Sequence, residues 1–391
     1  MKPTSFEKRI KRRVTARSQT FFASSAPGLK QLLKKEFESL PIPPDSITMA
    51  EGGVGFTGPM KACYLANLYL GTASRITMEI AEFKAENFRT LEKKLSQVEW
   101  ELYLPKNGPI HVEATTRHSR LYHTAAIEER ATGIIQKHLQ DDSLEKNPPL
   151  PTQRIFIRAK DDRFHVSLDT SGELLHKRGI TAMVGTAPLR ATLARAILER
   201  TGFAGNEPLI DPMCGSGNFT LEAAMMAAEI PPGFYRRFAF EHFPCFSDAQ
   251  WRHLKKTAAK EFRKGKSPLI FGFDTATKLV EDLGDTVADY PFSSFVSVGQ
   301  QNFFDIVPGE ITGRTGVVVL NPPYGKRLGK KSDITTQYKE IGAKLARDFQ
   351  GWRVGIILPE PDLAKLLPFS TDLHPLFHGG LEIHVATGII S

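Results

Sequence analysis

Asn321, Pro322, Pro323 and Tyr324 follow directly on the apolar run Val317, Val318, Val319 and Leu320. The run reads as a buried strand and the four residues as its tip. An amide, a rigid diproline and an aromatic ring at such a place suit one demanding reaction. The exocyclic amine of a nucleobase is a poor nucleophile, because its lone pair is delocalised into the ring. Attack on an electrophilic methyl needs acceptors for the amine hydrogens and a lone pair rotated out of conjugation. Asn321 offers a side-chain carbonyl and Pro322 a backbone carbonyl, and two successive prolines fix φ and hold both in place. Tyr324 could stack on a base taken out of its helix. Gly325 leaves room, and Lys326 and Arg327 could hold phosphates. A Pro-rich turn would account for the same residues; the motifs upstream weigh against it.

Those motifs concern a second ligand. In "LIDPMCGSGNFTLEAAMMA", residues 209–227, a strand ends in Asp211 and a Gly-containing turn leads into an amphipathic helix. Gly215 and Gly217 permit positive φ and let a ligand approach the backbone, and free amides at the helix start can receive a carboxylate or another anion. A structural turn or a dinucleotide site would explain a lone G-x-G equally well. Position 220 is Thr where a G-x-G-x-x-G run would have its last glycine, which counts against NAD. The next strand ends "FGFD" at Asp274, where a carboxylate suits the two hydroxyls of a ribose or, alternatively, a helix cap. The third ends "VGQQNFFD": Asn302 could bond an adenine edge and Phe303 pack on its face, or the pair could be a turn Asn and a core Phe.

The elements that must position these residues alternate. Strand-like segments at 208–211, 269–273, 295–298, 316–320, 352–358 and 381–386 are separated by helical ones at 219–229, 248–263, 275–289, 334–349 and 361–367. That order predicts an open, mostly parallel sheet with helices on both faces, binding ligands at the carboxyl ends of its strands. Ahead of it, residues 19–82 read as strand, helix, hairpin, helix and strand, a ferredoxin-like α+β unit. Ser24 or Ser25 is the expected cap of its first helix. Residues 83–172 form a second small α/β module. His111, His118, His123, His138 and His165 fall in it without metal-ligand spacing or cysteine company, so no metal is expected.

At 391 residues, two or three domains are expected. No run of 18 apolar residues occurs, so no membrane association is expected. Three scattered cysteines, Cys63, Cys214 and Cys245, argue against a disulfide framework and for a reducing compartment. The basic start lacks the apolar core of a secretion signal. A net charge of +8 favours polyanionic partners. Residues 1–18 concentrate that excess, with Glu7 alone against seven cations; a solvated tail and a nucleic-acid-binding arm both fit.

"DPMCGSG" followed by "NPPYG" resembles the class I S-adenosylmethionine-dependent methyltransferases that modify exocyclic amines. "FFASSAPGLKQLLKKEFE", "VSLDTSGELLHKRG", "APLRATLARAIL", "IDPMCGSGNFTLEAAM" and "PPGFYRRFAFE" narrow the likeness to the THUMP-containing guanine-N2 RNA methyltransferases. The nearest branch is the RlmL type, which acts on 23S ribosomal RNA; the tRNA guanine-N2 enzymes share the layout. The resemblance implies a basic extension over 1–18, a ferredoxin-like domain over 19–82, a THUMP RNA-binding domain over 83–172 and a Rossmann-like methyltransferase domain over 173–391. It implies that Asp211, Cys214, Gly215 and Gly217 line the cofactor's methionine end and Asp274 its ribose. Asn302, where the family usually has an acid, would touch the adenine. Asn321, Pro322, Pro323 and Tyr324 would hold the target guanine. Structured RNA is then the partner, no obligatory protein partner is implied, and the setting is cytoplasmic. An adenine-N6 DNA methyltransferase and a non-catalytic ribosome-assembly factor are the rival readings. Arg117 and Arg120 stand as candidate RNA contacts beside a plain solvated surface.

Overall fold

The computed structural model describes residues 4–141, 150–180, 189–323 and 331–391. The chain forms two compact units. The first comprises Met1–Ser25, Leu33–Leu175 and Arg236–Lys255; the second comprises Ala26–Leu32, His176–Tyr235 and Lys256–Ser391.

In chain order, the first half runs α1 (Ser5–Ile10), β1 (Gln19–Ser25), α2 (Lys30–Glu38), β2 (Ser46–Ala50), β3 (Gly53–Gly58), α3 (Met60–Tyr69) and β4 (Ala73–Lys84). It continues with α4 (Phe88–Leu95), β5 (Ile110–Arg117), α5 (Thr124–Leu139), β6 (Gln153–Lys160) and β7 (Arg163–Asp169). One seven-stranded sheet, ordered β2-β3-β1-β4-β7-β6-β5, runs through all of it. Asn87 caps α4 by accepting from Thr90 N at 2.9 Å. Asp161 and Asp162, both at positive φ, make the tight turn between β6 and β7. Ser24 and Ser25 do not cap α2; both lie within β1, where Ser24 Oγ donates to the carbonyl of Arg75. Residues 236–255 add an aromatic cluster to this unit: Tyr64 packs on Phe240, Phe246 and Trp251.

The second half runs α6 (Ala191–Arg200), β8 (Leu209–Asp211), α7 (Asn218–Ala227), α8 (Asp248–Lys260), β9 (Ile270–Asp274), α9 (Thr277–Ala288), β10 (Val296–Gln300) and α10 (Pro308–Ile311). Then come β11 (Val317–Leu320), α11 (Lys331–Asp348), β12 (Arg353–Leu358), β13 (Asp372–His378) and β14 (Leu381–Ile389). The sheet order is β10-β9-β8-β11-β12-β14-β13, parallel from β10 to β12, with β14 antiparallel to β12. The VVVL run is apolar throughout because both its faces are covered. Val317 and Val319 join a core with Leu193, Ala223 and Leu283, while Val318 and Leu320 join another with Tyr338, Ile341 and Leu345. The topology is thus α/β and doubly wound in its parallel part, as the alternation implied. Among the described residues the additional strand β13 pairs only with β14. Among the described residues no helix is long and apolar enough to cross a membrane.

Candidate active site

The order of strands reverses between β8 and β11, and a crevice opens there at the carboxyl ends. A cavity of about 430 Å³ occupies it, entirely within the second unit. Its lining brings together Cys214, Gly215, Asp274, Asn302, Asn321 and Pro323 from four different strand ends. Phe219, Leu279 and Phe303 add apolar wall. Asp211, Gly217 and Pro322 stand behind that lining, and Tyr324 falls outside the described residues.

The loop after β8 is built by its glycines. Gly217 caps α7 in the left-handed conformation, φ 81°, and a Cβ there would lie 2.3 Å from Leu283 Cδ1. Gly215 is left-handed too, φ 53°, yet a Cβ there would meet nothing within 4 Å. One glycine is needed for packing; the other leaves the backbone open to a ligand.

Beneath the loop, Asp211 is fully buried. Its Oδ2 accepts from Thr220 N at 3.2 Å and from Thr220 Oγ1 at 2.8 Å. Burial pushes its carboxyl up from 3.8 to about 7, Thr220's hydrogen bonds oppose the rise, and the charge of Asp274 adds to it. The Cys214 thiol is likewise raised by burial, above the ordinary thiol range, with Asp211 and Asp274 adding to the shift. A thiol so placed stays protonated at neutral pH and is no nucleophile.

Asp274 uses both oxygens to tie the site together: Oδ2 accepts from Gly215 N at 2.9 Å and Oδ1 from Ala276 N at 3.0 Å. Each oxygen keeps a lone pair. Asn302 Oδ1 accepts from Phe304 N at 3.0 Å, which fixes the amide and leaves its NH₂ without a partner among the described residues. Phe303 is buried in the core and lines one wall of the cavity.

Asn321 presents the most telling atom. Its Oδ1 is buried and has no hydrogen-bond partner among the described residues. The same holds for Oε1 of Gln337, which α11 contributes to the same cavity. An unpaired buried carbonyl costs about 1–3 kcal/mol, so two of them lining one cavity point to a ligand that donates. Sequence reading missed Gln337, which lies six residues into a largely polar helix.

Elsewhere, Glu79, Glu82 and His165 converge on the β4–β7 pair. Glu82 is held as a carboxylate by a hydrogen bond from Arg163, and His165 Nδ1 lies 2.7 Å from Glu79 Oε2, so these groups already have protein partners.

Two family models match this chain: the RlmL ferredoxin-like domain over residues 20–77 and the RMKL-like methyltransferase domain over residues 178–372. The second spans every described residue that lines the cavity. The chain belongs to the RMKL-like methyltransferases. The ribosomal RNA large subunit methyltransferase K/L of Methylococcus capsulatus is 30% identical over 380 residues, covering 93% of this chain and 50% of that protein. The chain therefore spans about half the length of that relative. The Synechocystis protein slr0064, an RNA methyltransferase by name, is 29% identical over 373 residues, with 94% of this chain and 96% of that one covered. Among solved structures, SMU.472, named as a methyltransferase and solved with SAH, is 27% identical with a TM-score of 0.83, over 96% of this chain and 98% of its own. A Listeria monocytogenes protein named as an N6-adenine-specific DNA methylase is 26% identical with a TM-score of 0.82, over 95% and 96%. The names agree on methyl transfer and divide over the acceptor, so the RMKL-like site itself must discriminate.

Proposed function

We propose that this chain transfers a methyl group from S-adenosylmethionine to the exocyclic N2 of a guanine in RNA, within the large-subunit ribosomal RNA. The observation that carries the reading is the buried, unpartnered Oδ1 of Asn321, in one cavity with the Cys214–Gly215 loop.

The cavity's donors and spaces fit the cofactor. Bound there, S-adenosylmethionine supplies an electrophilic methyl on a cationic sulfur. The open backbone at Gly215 receives the methionine end, and the remaining lone pairs of Asp274 accept from ribose hydroxyls. The free amide NH₂ of Asn302 meets the adenine. Asn321 accepts an N–H of the target amine, so that the amine's lone pair turns out of the ring plane. Pro322 and Pro323 have φ fixed by their own rings, and Pro322 keeps the backbone of Asn321 before it extended. No covalent enzyme intermediate is required, in keeping with the protonated Cys214. The residues act by orientation and electrostatic accommodation.

Gln337 supports guanine over adenine. The Watson–Crick edge of guanine carries N1–H beside N2–H₂, all donors, and two unpaired carbonyls in one cavity complement that edge. Adenine sets an acceptor beside its amine and would leave one carbonyl unmatched. The names of the relatives and the net charge of +8 support RNA as the carrier of that guanine, which residues 83–172 would grip in a THUMP-like role. With such a substrate the protein works in the cytoplasm.

The test is tritium labelling from S-adenosylmethionine, with ribosomal RNA, tRNA and DNA from cells lacking the protein, followed by nucleoside analysis. N2-methylguanosine in large-subunit RNA is expected. Label in DNA as N6-methyladenine would establish the Listeria neighbour's named activity instead. Asn321→Ala should lower turnover at least 100-fold while leaving SAH affinity within about threefold. Normal turnover would remove Asn321 from the site.

A further inference from the structure

The basic start of the chain is folded, and its fold sorts its cations. Thr4 Oγ1 accepts from Glu7 N at 3.1 Å while Glu7 Oε2 accepts from Thr4 N at 2.6 Å, a reciprocal cap that starts α1. After Ile10 the chain widens into a π turn, Lys11–Thr15, whose Val14 carbonyl accepts from Gln19 Nε2 at 2.9 Å. Ile10 and Val14 point inward and are buried. Beside them Arg9 donates to Glu99 Oε1 at 2.9 Å and Glu101 Oε1 at 2.7 Å, and Arg13 Nε lies 3.7 Å from Glu99 Oε2. The two acids flank Trp100, which is fully buried and donates its indole N–H to the Leu95 carbonyl at 2.9 Å. The segment is therefore held both by its buried apolar residues and by these acids.

The other side of this helical segment is different. Lys8, Lys11, Arg12 and Arg17 are exposed and make no ion pair among the described residues. Glu7, the acid nearest to them in sequence, has its carboxylate engaged in the cap. The earlier candidates compare poorly: Arg120 pairs with Glu86 and lies 3.6 Å from Asp162, and Arg117 lies 3.8 Å from Glu51.

We propose that this anchored helix is a preformed docking surface for the phosphodiester backbone of the RNA substrate, with Lys8, Lys11 and Arg12 each neutralising one phosphate. The proposal rests on the RNA reading above. Charge complementarity selects the partner, and anchoring through Arg9, Ile10 and Val14 removes most of the ordering cost that a free tail would meet on binding.

The experiment measures binding of the full chain to deproteinised large-subunit ribosomal RNA across 50–300 mM salt. Each lost phosphate contact removes about 0.7–0.9 from the slope of log K against log salt. The triple variant Lys8→Ser, Lys11→Ser, Arg12→Ser should lower that slope by about 2–3 and weaken binding on the order of 100-fold at 0.1 M salt. Its thermal midpoint and SAH affinity should match wild type. A charge-keeping variant, Lys8→Arg, Lys11→Arg, Arg12→Lys, should restore affinity. A triple variant with the wild-type slope would overturn the docking surface alone. Wild-type protein that shows no salt-dependent RNA binding would overturn the RNA reading beneath it.

Discussion

Asp211 gives the sharpest quantitative test of how the site is built. Its carboxyl sits at about 7 in the folded chain against an ordinary 3.8, chiefly through burial. Between those values the folded chain keeps a proton that the unfolded chain has released, so stability must fall as pH rises. The gap of about three pH units, at about 1.4 kcal/mol each, is worth roughly 4 kcal/mol, present below about pH 4 and lost above about pH 7. Asp211→Asn keeps an oxygen for Thr220 and cannot ionise. Its NH₂ would take the place of Oδ1, which has no partner among the described residues, at a pH-independent cost of about 1–3 kcal/mol. Asp211→Asn should therefore be less stable than wild type at pH 4.5 and more stable at pH 8.5. The difference in unfolding free energy from urea melts should climb by roughly 1.4 kcal/mol per pH unit between about pH 4.5 and 7 and level off above that. Other titrating groups are common to both proteins and cancel. A flat difference across that window would show that Asp211 ionises freely and that the account of the loop's underside is wrong.

Gly217→Ala meets both left-handed strain and Leu283, and should cost roughly 2–5 kcal/mol; a double-mutant cycle with Leu283→Ala should recover only the steric share. Arg178 donates to Glu222 Oε1 at 2.6 Å and Oε2 at 3.2 Å in a fully buried pair, so Glu222→Ala should destabilise by about 3–5 kcal/mol in urea melts. Asn302→Asp retains the acceptor for Phe304 N and replaces the free NH₂ with a second acceptor. It removes the donor that meets the adenine and should weaken SAH about fivefold in calorimetry, worth about 1 kcal/mol, and no change would remove Asn302 from the adenine edge.

How much of this could be read from the sequence depended on what fixed each residue in space. Asp274, Asn302 and Asn321 were legible because strand–helix alternation forces every parallel strand to end on one edge, so their order in the chain became proximity. β13 was not, because Pro375 interrupts its pattern; a proline is tolerated there only because the strand is at the sheet's edge, which no local pattern announces. Residues 1–18, which include α1, were read as tail or arm because their cations outnumber their apolar residues. The partners that order α1, Glu99 and Glu101, lie about ninety residues away. Gln337 had no signal either, since a polar residue on a helix looks like surface until a cavity is found beside it.

Thr220 shows the deeper reason. Its presence where a third glycine belongs in the dinucleotide pattern argued against NAD. The tight approach such a glycine would serve still exists, on the neighbouring strand. Gly272 pairs with Asp211 across β8 and β9, and a Cβ on it would lie 2.9 Å from Thr220 Oγ1. The small residue has moved to the strand, and the helix has gained a hydroxyl that holds the buried acid under the loop. A glycine motif is a set of spaces, and a space can be supplied from either side of the contact. A change at Gly272, two residues before Asp274, should therefore damage the loop through Thr220 and Asp211 before it touches any ligand.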